Sequence, residues 1–597
     1  MNKRITNASQ GGFHTDQPLA HLRYQISMPM PQTHRFHVRI EWTGTTPPNM
    51  KWALPVWTPG SYLIREFSRH IDRVHASSQS QELAVRKLDK ATWVLEDLGN
   101  ISTVILEYDV FAYELSVRTS YLDNQRGYFN GANVFLYPDT DVAYDIELEV
   151  IPPYSHWDVA TGLTRLNQPG YHYAVPDYDT LVDSPVECGV FQRHSFMVDN
   201  VEHELIFTGF DEIDLHALLR DLPPIIQSAK DIFGTPLPYN RYVFLVYGSI
   251  ESGGGLEHKN SASIIFDRFM LHDPSKYPRV LALFAHEYFH LWNVKRLHPT
   301  NLGPFDYQHE VYTSLLWVLE GWTDYYAWLL LVRAGVVDVF TVLDHFAESL
   351  RLLDLLPGRH VQSLVEASQD TWIKFYRPDG NTPNITISYY HKGALVALAL
   401  DLALRQATGG RDSLDTVLRF LWMTYGDQGY PDSAVDEALV RVGGPLMRQR
   451  LQQWVYGTDD LPDELFNVVG LKLLKEFKDA HQKVPFTGII TEKSATDTVI
   501  IKHVLKDSPA EKAGLAPGDE WIALNGYRIR HDNLPGRLAQ CAANTSIQVS
   551  VFRQHQLQTY SLTLDPPRPD AWRFITDPNA SEEARQQFSQ WLGAPYP

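Results

Sequence analysis

Apolar and polar positions alternate through the first third of the chain. Phe36, Val38, Ile40 and Trp42 are interleaved with His37, Arg39 and Glu41, and Val104, Leu106, Tyr108 and Val110 repeat the pattern. A period of two sends every second side chain to one face, which predicts half-buried β-strands over roughly 20–195. Turn chemistry at Thr58-Pro59-Gly60 and Gln168-Pro169-Gly170 separates these runs. From about 200 the spacing changes. A helix is expected over 213–231 and a strand from Arg241 to Tyr247, with helices dominating from 278 to 460. The clearest lie over 280–294, 315–332 and 393–407, the last closed by Gly409-Gly410. Short strands return after 470, and the Pro- and Asp-rich end, from about Pro567, reads as an extended or helical tail.

Composition narrows the class. At 597 residues the chain has room for about four domains. A content of 44% hydrophobic and 21% charged residues is that of a folded protein, which excludes collagen-like and wholly disordered readings. Lys and Arg number 52 against 71 Asp and Glu, a net charge of −19 that repels phosphate backbones and anionic lipid heads. With no basic patch to offset it, neither nucleic acid nor a membrane is an expected partner. Cys188 and Cys541 lie too far apart in sequence for a disulfide framework or a cysteine metal site. The amino-terminal residues lack an apolar secretory core, and the longest apolar run, 393–400, stops at Asp401. A cytoplasmic location is the expectation.

The strongest chemical signal is His286-Glu287-Tyr288-Phe289-His290. On a helix, residues four apart share a face, so both imidazoles can reach one Zn(II). Glu287, one step round the helix, can act on a zinc-bound water as general base without ligating. The apolar run from Val280 to Ala285 predicts a buried helix, whose His, Glu and His then need partners. A third ligand is required. The position six residues beyond His290 is Arg296, so a third histidine at that spacing fails. His298, His309, Glu310 and Glu320 are the downstream candidates. Glu320 is favoured because it lies in an apolar helix, with Asp324 one turn on as a carboxylate that could orient a ligating histidine. Glu310, in a polar stretch, reads as a loop residue.

Two further motifs flank this one. Gly253-Gly254-Gly255-Leu256-Glu257-His258 reads blandly as a glycine turn between strands. The functional alternative is a substrate-binding edge, where Gly254 and Gly255 would let a peptide backbone approach closely and Glu257 could pair with a free α-amine. In Tyr389-Tyr390-His391-Lys392-Gly393 a neutral phenol could donate to an oxyanion. A tyrosine pair before a helix also reads as ordinary packing.

Taken in order, these motifs resemble those of gluzincin aminopeptidases, and most closely the glycyl aminopeptidase family. Gly254-Gly255-Leu256-Glu257-His258 is similar to the exopeptidase motif of the larger group, with Leu256 and His258 as departures. The segments from Trp57 to Tyr62 and from Asp183 to Glu187 are similar to the family's amino-terminal region. The resemblance implies a multidomain α+β chain. Its expected parts are a flexible start over 1–19, a β-sandwich-like domain over 20–195, a thermolysin-like zinc domain over 196–335, a helical domain over 336–469, a PDZ domain over 470–566 and a tail over 567–597. It also implies one Zn(II) per chain on His286, His290 and Glu320. Glu287 would polarise the attacking water, Glu257 would hold the substrate ammonium, Tyr390 would hydrogen-bond the oxyanion, and small first residues such as Gly or Ala would be preferred. Twenty-nine residues separate His290 from Glu320, longer than in the larger group, which implies an inserted loop around 297–307.

Within 470–566, the runs from Asp507 to Leu515 and from Pro517 to Gly526 look like a PDZ domain. Its carboxylate-binding loop would be Phe486-Thr487-Gly488-Ile489, able to take peptide C-termini. The expected activity is therefore a zinc aminopeptidase acting on peptides with a free N-terminus. The alternatives are a peptide-binding PDZ protein with a vestigial hydrolase site, or a hydrolase of another small substrate such as an epoxide.

Overall fold

The computed structural model describes residues 20–597, apart from positions 80, 100, 210–212, 251, 495 and 496. The expected flexible start at 1–19 lies outside the described residues. Two compact units divide the chain: one runs to Tyr312 and takes in 422–431, the other comprises 313–421 and 432–597.

The first unit opens with the alternating segments. Ala20–Ser27, Arg35–Thr43 and Thr103–Phe111 carry strictly alternating buried positions and lie side by side in an eight-stranded sheet. Ala20–Ser27 pairs antiparallel with Arg35–Thr43 and parallel with Tyr144–Ile151. Two four-stranded sheets accompany it, and one core holds Trp42, Trp52, Tyr108, Phe129 and Tyr178.

A second sheet follows, of five strands. We label them β1 (Gln192–Val198), β2 (Val201–Thr208), β3 (Arg241–Ser249), β4 (Gly254–Glu257) and β5 (Ser261–Asp267). Their order is β1-β2-β3-β5-β4, so β4 is an edge strand, antiparallel to β5. Helix α1 (His216–Phe233) links β2 to β3 and tolerates Pro223 and Pro224 in its interior. Helix α2 (Tyr277–Phe289) packs on β4 and β5, with Phe284 against Phe266 of β5 and Tyr288 against Tyr242 and Phe244 of β3. It ends at Phe289 and not at 294, because the chain breaks into turns after His290.

The expected inserted loop has a specific task. Tyr307 is buried in the core of the amino-terminal sheets, and its hydroxyl donates to Asp179 at 2.6 Å. Trp57 Nε1 donates to the Asp306 carbonyl at 2.8 Å, and Gln308 donates to the Leu54 carbonyl. The insertion thereby fastens the amino-terminal β region to the segment following α2.

In the second unit the helix expected over 315–332 is two pieces. Trp317–Trp322 is π-helical and continues as α3 (Thr323–Arg333). Helix α4 (His391–Thr408) ends on left-handed Gly409, where a Cβ would be strained. A sheet formed by strands between Ile489 and Thr563, with two short helices, makes a separate apolar core around Val499, Ile501, Trp521 and Val549. The expected tail is ordered. Ala571–Thr576 pairs with Leu471–Glu476, and in the helix Glu582–Leu592 the Trp591 indole donates to the Tyr325 hydroxyl of α3. Among the described residues, no helix is long and apolar enough to cross a membrane.

Candidate metal centre and substrate edge

The last turn of α2 presents His286, Glu287 and His290. The imidazoles face each other with Nε2 atoms 3.0 Å apart and ring planes at 85°. Nδ1 of His290 is 2.8 Å from the Asn293 carbonyl, so this nitrogen is the donor and Nε2 of the neutral ring keeps its lone pair, aimed at His286. Donation of the far nitrogen to a backbone carbonyl is the usual support of a metal-ligating histidine. Two convergent imidazole nitrogens, one with its tautomer set by a buried carbonyl, are donors that fit a zinc ion.

Strand β4 meets this turn through its glycines. A Cβ on Gly255 would stand 2.1 Å from the Glu287 carboxyl carbon, so the missing side chain is the space that Glu287 fills. Two residues on, and therefore on the same face, Glu257 points to the same spot. Carboxylate oxygens of Glu257 and Glu287 and a ring nitrogen of His290 all lie within 4.8 Å of one another. All three residues are buried, at 5%, 4% and 1% exposure. Among the described residues no Lys or Arg pairs with Glu257. Two carboxylates held this close inside a protein repel when both are ionised, and either a shared proton or a nearby cation relieves that repulsion.

Two supports of this edge carry no role in the sequence reading. The first is Asp183, which accepts from the His258 ring (3.1 Å), the Lys259 N–H (2.8 Å) and Lys295 Nζ (2.6 Å). It therefore clamps the turn directly after Glu257. Burial alone would raise its pKa, but Lys295 and then His258 outweigh that and hold the carboxyl far below its usual range. The second is Gly60, at φ +86°, whose Cβ would stand 2.6 Å from Glu257 Oε1 and 2.6 Å from Leu256 Cδ1. The turn carrying it is rigid: Thr58 and Ser61 form a β-bridge, and Arg65 donates to Ser61 Oγ. The only sequence signal for either was the family-like character of their segments.

In the second unit, Glu320 is buried in the π-helical turn, an irregularity that often marks functional sites. The glycines beside the two expected residues are where helices touch. A Cβ on Gly321 would be 2.5 Å from Gly393 Cα, and one on Gly393 would be 2.9 Å from Gly321 Cα. This contact places the turn of Glu320 against the start of α4, where Tyr390 stands. The two tyrosines differ. Tyr389 is fully buried and its hydroxyl hydrogen-bonds Thr371 at 2.8 Å, whereas Tyr390 stacks on Phe375 and is partly exposed. Asp324 acts electrostatically on His391; burial lowers the pKa of that ring and Asp324 opposes it.

Comparison with known proteins identifies the family of the chain. Residues 23–190 match the Peptidase M61 N-terminal domain, and residues 279–396 match the M61 glycyl aminopeptidase family. The crystal structure of an aminopeptidase N family protein from Idiomarina loihiensis is 30% identical, covering 96% of this chain and 100% of that one with a TM-score of 0.90. The chain belongs to the M61 glycyl aminopeptidase family. An M1 zinc metallopeptidase from Deinococcus radiodurans is more distantly similar, at 16% identity over 75% of this chain and 95% of that one, with a TM-score of 0.47. A probable periplasmic serine endoprotease, DegP-like, from Marinomonas sp. is 39% identical over 88 residues. The match spans only 17% of the length of that relative and 15% of this M61 chain.

The loop Phe486-Thr487-Gly488-Ile489 belongs to the carboxy-terminal sheet module. Its backbone is largely engaged within the module. The Phe486 N–H donates to the Asp565 carbonyl, that of Ile489 to Thr487 Oγ1, and the Gly488 carbonyl accepts from Leu505. Gly488 is at φ +75°, with Ser508 Cβ 2.1 Å from where its own Cβ would be.

Proposed function

We propose that this M61 chain is a zinc-dependent aminopeptidase that removes N-terminal residues, small ones such as Gly or Ala, from peptides. One observation carries the reading: two buried carboxylates, Glu257 and Glu287, share one spot with the ring of His290 on a glycine-lined strand edge. One Zn(II) would be held by His286, His290 and Glu320, with Asp324 orienting a ligand. When bound, zinc supplies Lewis acidity toward the substrate carbonyl and toward water.

The chain's own residues do the rest. Glu287, filling the gap left by Gly255, takes the proton of the attacking water and passes it to the leaving amine. Gly254 and Gly255 leave the edge bare, so a substrate backbone can lie along it. Tyr390 donates its phenolic proton to the developing oxyanion. Glu257 takes the substrate's α-ammonium. A longer N-terminal extension would set a neutral peptide against this buried carboxylate and strand the charge, at several kcal/mol. That penalty selects for exopeptidase cleavage. The Gly60 turn against the same carboxylate supports a small first side chain, because it leaves little space beside the amine. The carboxy-terminal module is proposed to be a PDZ domain that receives peptide C-termini.

Metal analysis with a panel of aminoacyl substrates, free and N-acetylated, tests the reading. We expect about one zinc per chain and hydrolysis of free glycyl and alanyl substrates alone. Glu257→Ala should lower kcat/KM on free-amine substrates by about a hundredfold, the scale of a buried charge-assisted hydrogen bond, with zinc content unchanged. Inertness after zinc is restored, or equal rates on free and blocked substrates, refutes the reading.

A further inference from the structure

One cation beside β4 has no part in the chemistry above. Arg118 lies on the loop between Thr103–Phe111 and Tyr121–Leu122. Its backbone is tied down on both sides: its N–H donates to Ser116 Oγ at 3.1 Å and its carbonyl accepts from Asn133 Nδ2 at 3.3 Å. The neighbouring Val117 is buried against Leu256 of β4 and Ile265 of β5. The side chain therefore emerges at the strand, with Nη1 3.8 Å from the point where Gly254 would carry a Cβ. Its Nε is shut off from solvent and has no hydrogen-bond partner, and among the described residues no carboxylate pairs with the guanidinium.

The order of groups along β4 determines what this cation meets. Glu257 and, over Gly255, Glu287 lie on one face of the strand, whereas Arg118 reaches Gly254 on the other face, so a peptide laid along the open edge of β4, between the two faces, is what can meet all three. A substrate with its ammonium on Glu257 and its scissile carbonyl beside Glu287 must continue past Gly255 to Gly254. Strands rise about 3.3 Å per residue, so this path is about 10 Å long. An extended tripeptide covers that distance, and a dipeptide, at about 7 Å, leaves a gap of about 3 Å that a hydrogen bond to the guanidinium closes. An anionic chain end so near two carboxylates would be repelled unless a fixed cation received it.

We propose that Arg118 binds the C-terminal carboxylate of a dipeptide or tripeptide, so that the site reads both ends of a short peptide. The inference rests on the aminopeptidase reading and adds the substrate class. A guanidinium fork matches a carboxylate with two parallel N–H donors and satisfies the group that is otherwise left unpartnered. A C-terminal amide, or the interior of a long peptide, offers no matching charge.

The test uses the zinc-loaded full chain with glycyl-alanine, glycyl-alanyl-alanine, their C-terminal amides, and glycyl p-nitroanilide. The wild-type chain should favour acids over amides by about tenfold or more in kcat/KM, the scale of a hydrogen bond to a charged group, chiefly through KM. Arg118→Met should bring that ratio to within about twofold of one, and Arg118→Lys should restore part of it, because the charge remains. A purely structural role would lower both rates together and leave the ratio standing, which overturns the proposal. Equal acid and amide rates in the wild-type chain, with glycyl p-nitroanilide still cleaved, overturn it while the aminopeptidase reading survives. Failure to cleave any of these substrates removes both.

Discussion

Two glycine-containing segments of this chain were expected to hold the ends of peptides, and they use glycine differently. At β4 the space beside Gly255 is taken by the Glu287 carboxylate, and Glu257 converges on the same spot. At Gly488 the space is taken by the Cβ of Ser508, and flanking N–H groups already have partners within the module. A bare backbone is thus not itself a binding site. What matters is whether a reactive group or a packing atom occupies the volume the side chain vacates. The first arrangement gathers titratable groups at one spot; the second gathers none.

The sharpest way to break the contrast is at the acid itself. Glu287→Gln should abolish turnover, by about 10⁴-fold or more, with zinc retained, since an amide cannot accept the proton. Retained activity would remove Glu287 as base.

Next comes the space around each glycine. Gly255→Ala should lower kcat by about a thousandfold by pushing the base off position, while thermal stability changes little. Gly488→Ala should do the reverse. It meets Ser508 and is strained at φ +75°, so it should cost about 2 kcal/mol of module stability, with glycyl p-nitroanilide turnover kept. Equal effects of the two substitutions on turnover would erase the distinction.

Tyr390→Phe should lower kcat by about a hundredfold with little change in KM, whereas Tyr389→Phe should act mainly on stability. Tyr389 already donates or accepts within a buried pair with Thr371.

The last expected effect is a pH response confined to the first unit. His203, on β2, is buried and hydrogen-bonds Tyr239, which in turn bonds Tyr288 of α2. Burial lowers its pKa from 6.5 to about 4, opposed by the Val201 carbonyl. The unfolded chain takes up the proton near pH 6.5 and the folded one only near 4. Stability is therefore full above about 6.5 and falls as pH drops toward about 4, by roughly 3 kcal/mol in all. Melting curves across that window should show the loss in the wild-type chain and a flatter response in His203→Gln. A slope unchanged by the substitution would discard His203 as its source.

Much of the site was legible because its chemistry is local. His286, Glu287 and His290 lie within one helical turn, so their juxtaposition follows from the helix period. The alternating strands of the amino-terminal region were equally readable from period two, as were the left-handed glycine that ends α4 and the separate carboxy-terminal module. Less was readable where long-range contacts decide. The π-helical turn around Glu320 obeys no apolar period, and it replaces part of an expected α-helix. Gly321 and Gly393, seventy-odd positions apart, could not be recognised as one point of helix contact. Nor could the loop after α2 be seen as the fastening of Trp57.

The sequence by itself determined which side chains could do the chemistry and on which local elements they sit, because 3.6- and 2-residue periods are properties of neighbouring positions. The tertiary structure decided what each of those groups faces. It brought Asp183 to the turn after Glu257, Gly60 against the Glu257 carboxylate and Arg118 to Gly254, across separations of between about seventy and two hundred residues. No local pattern encodes such meetings. They arise when sheets bury their apolar faces together, and the polar groups carried along must then find partners of opposite charge.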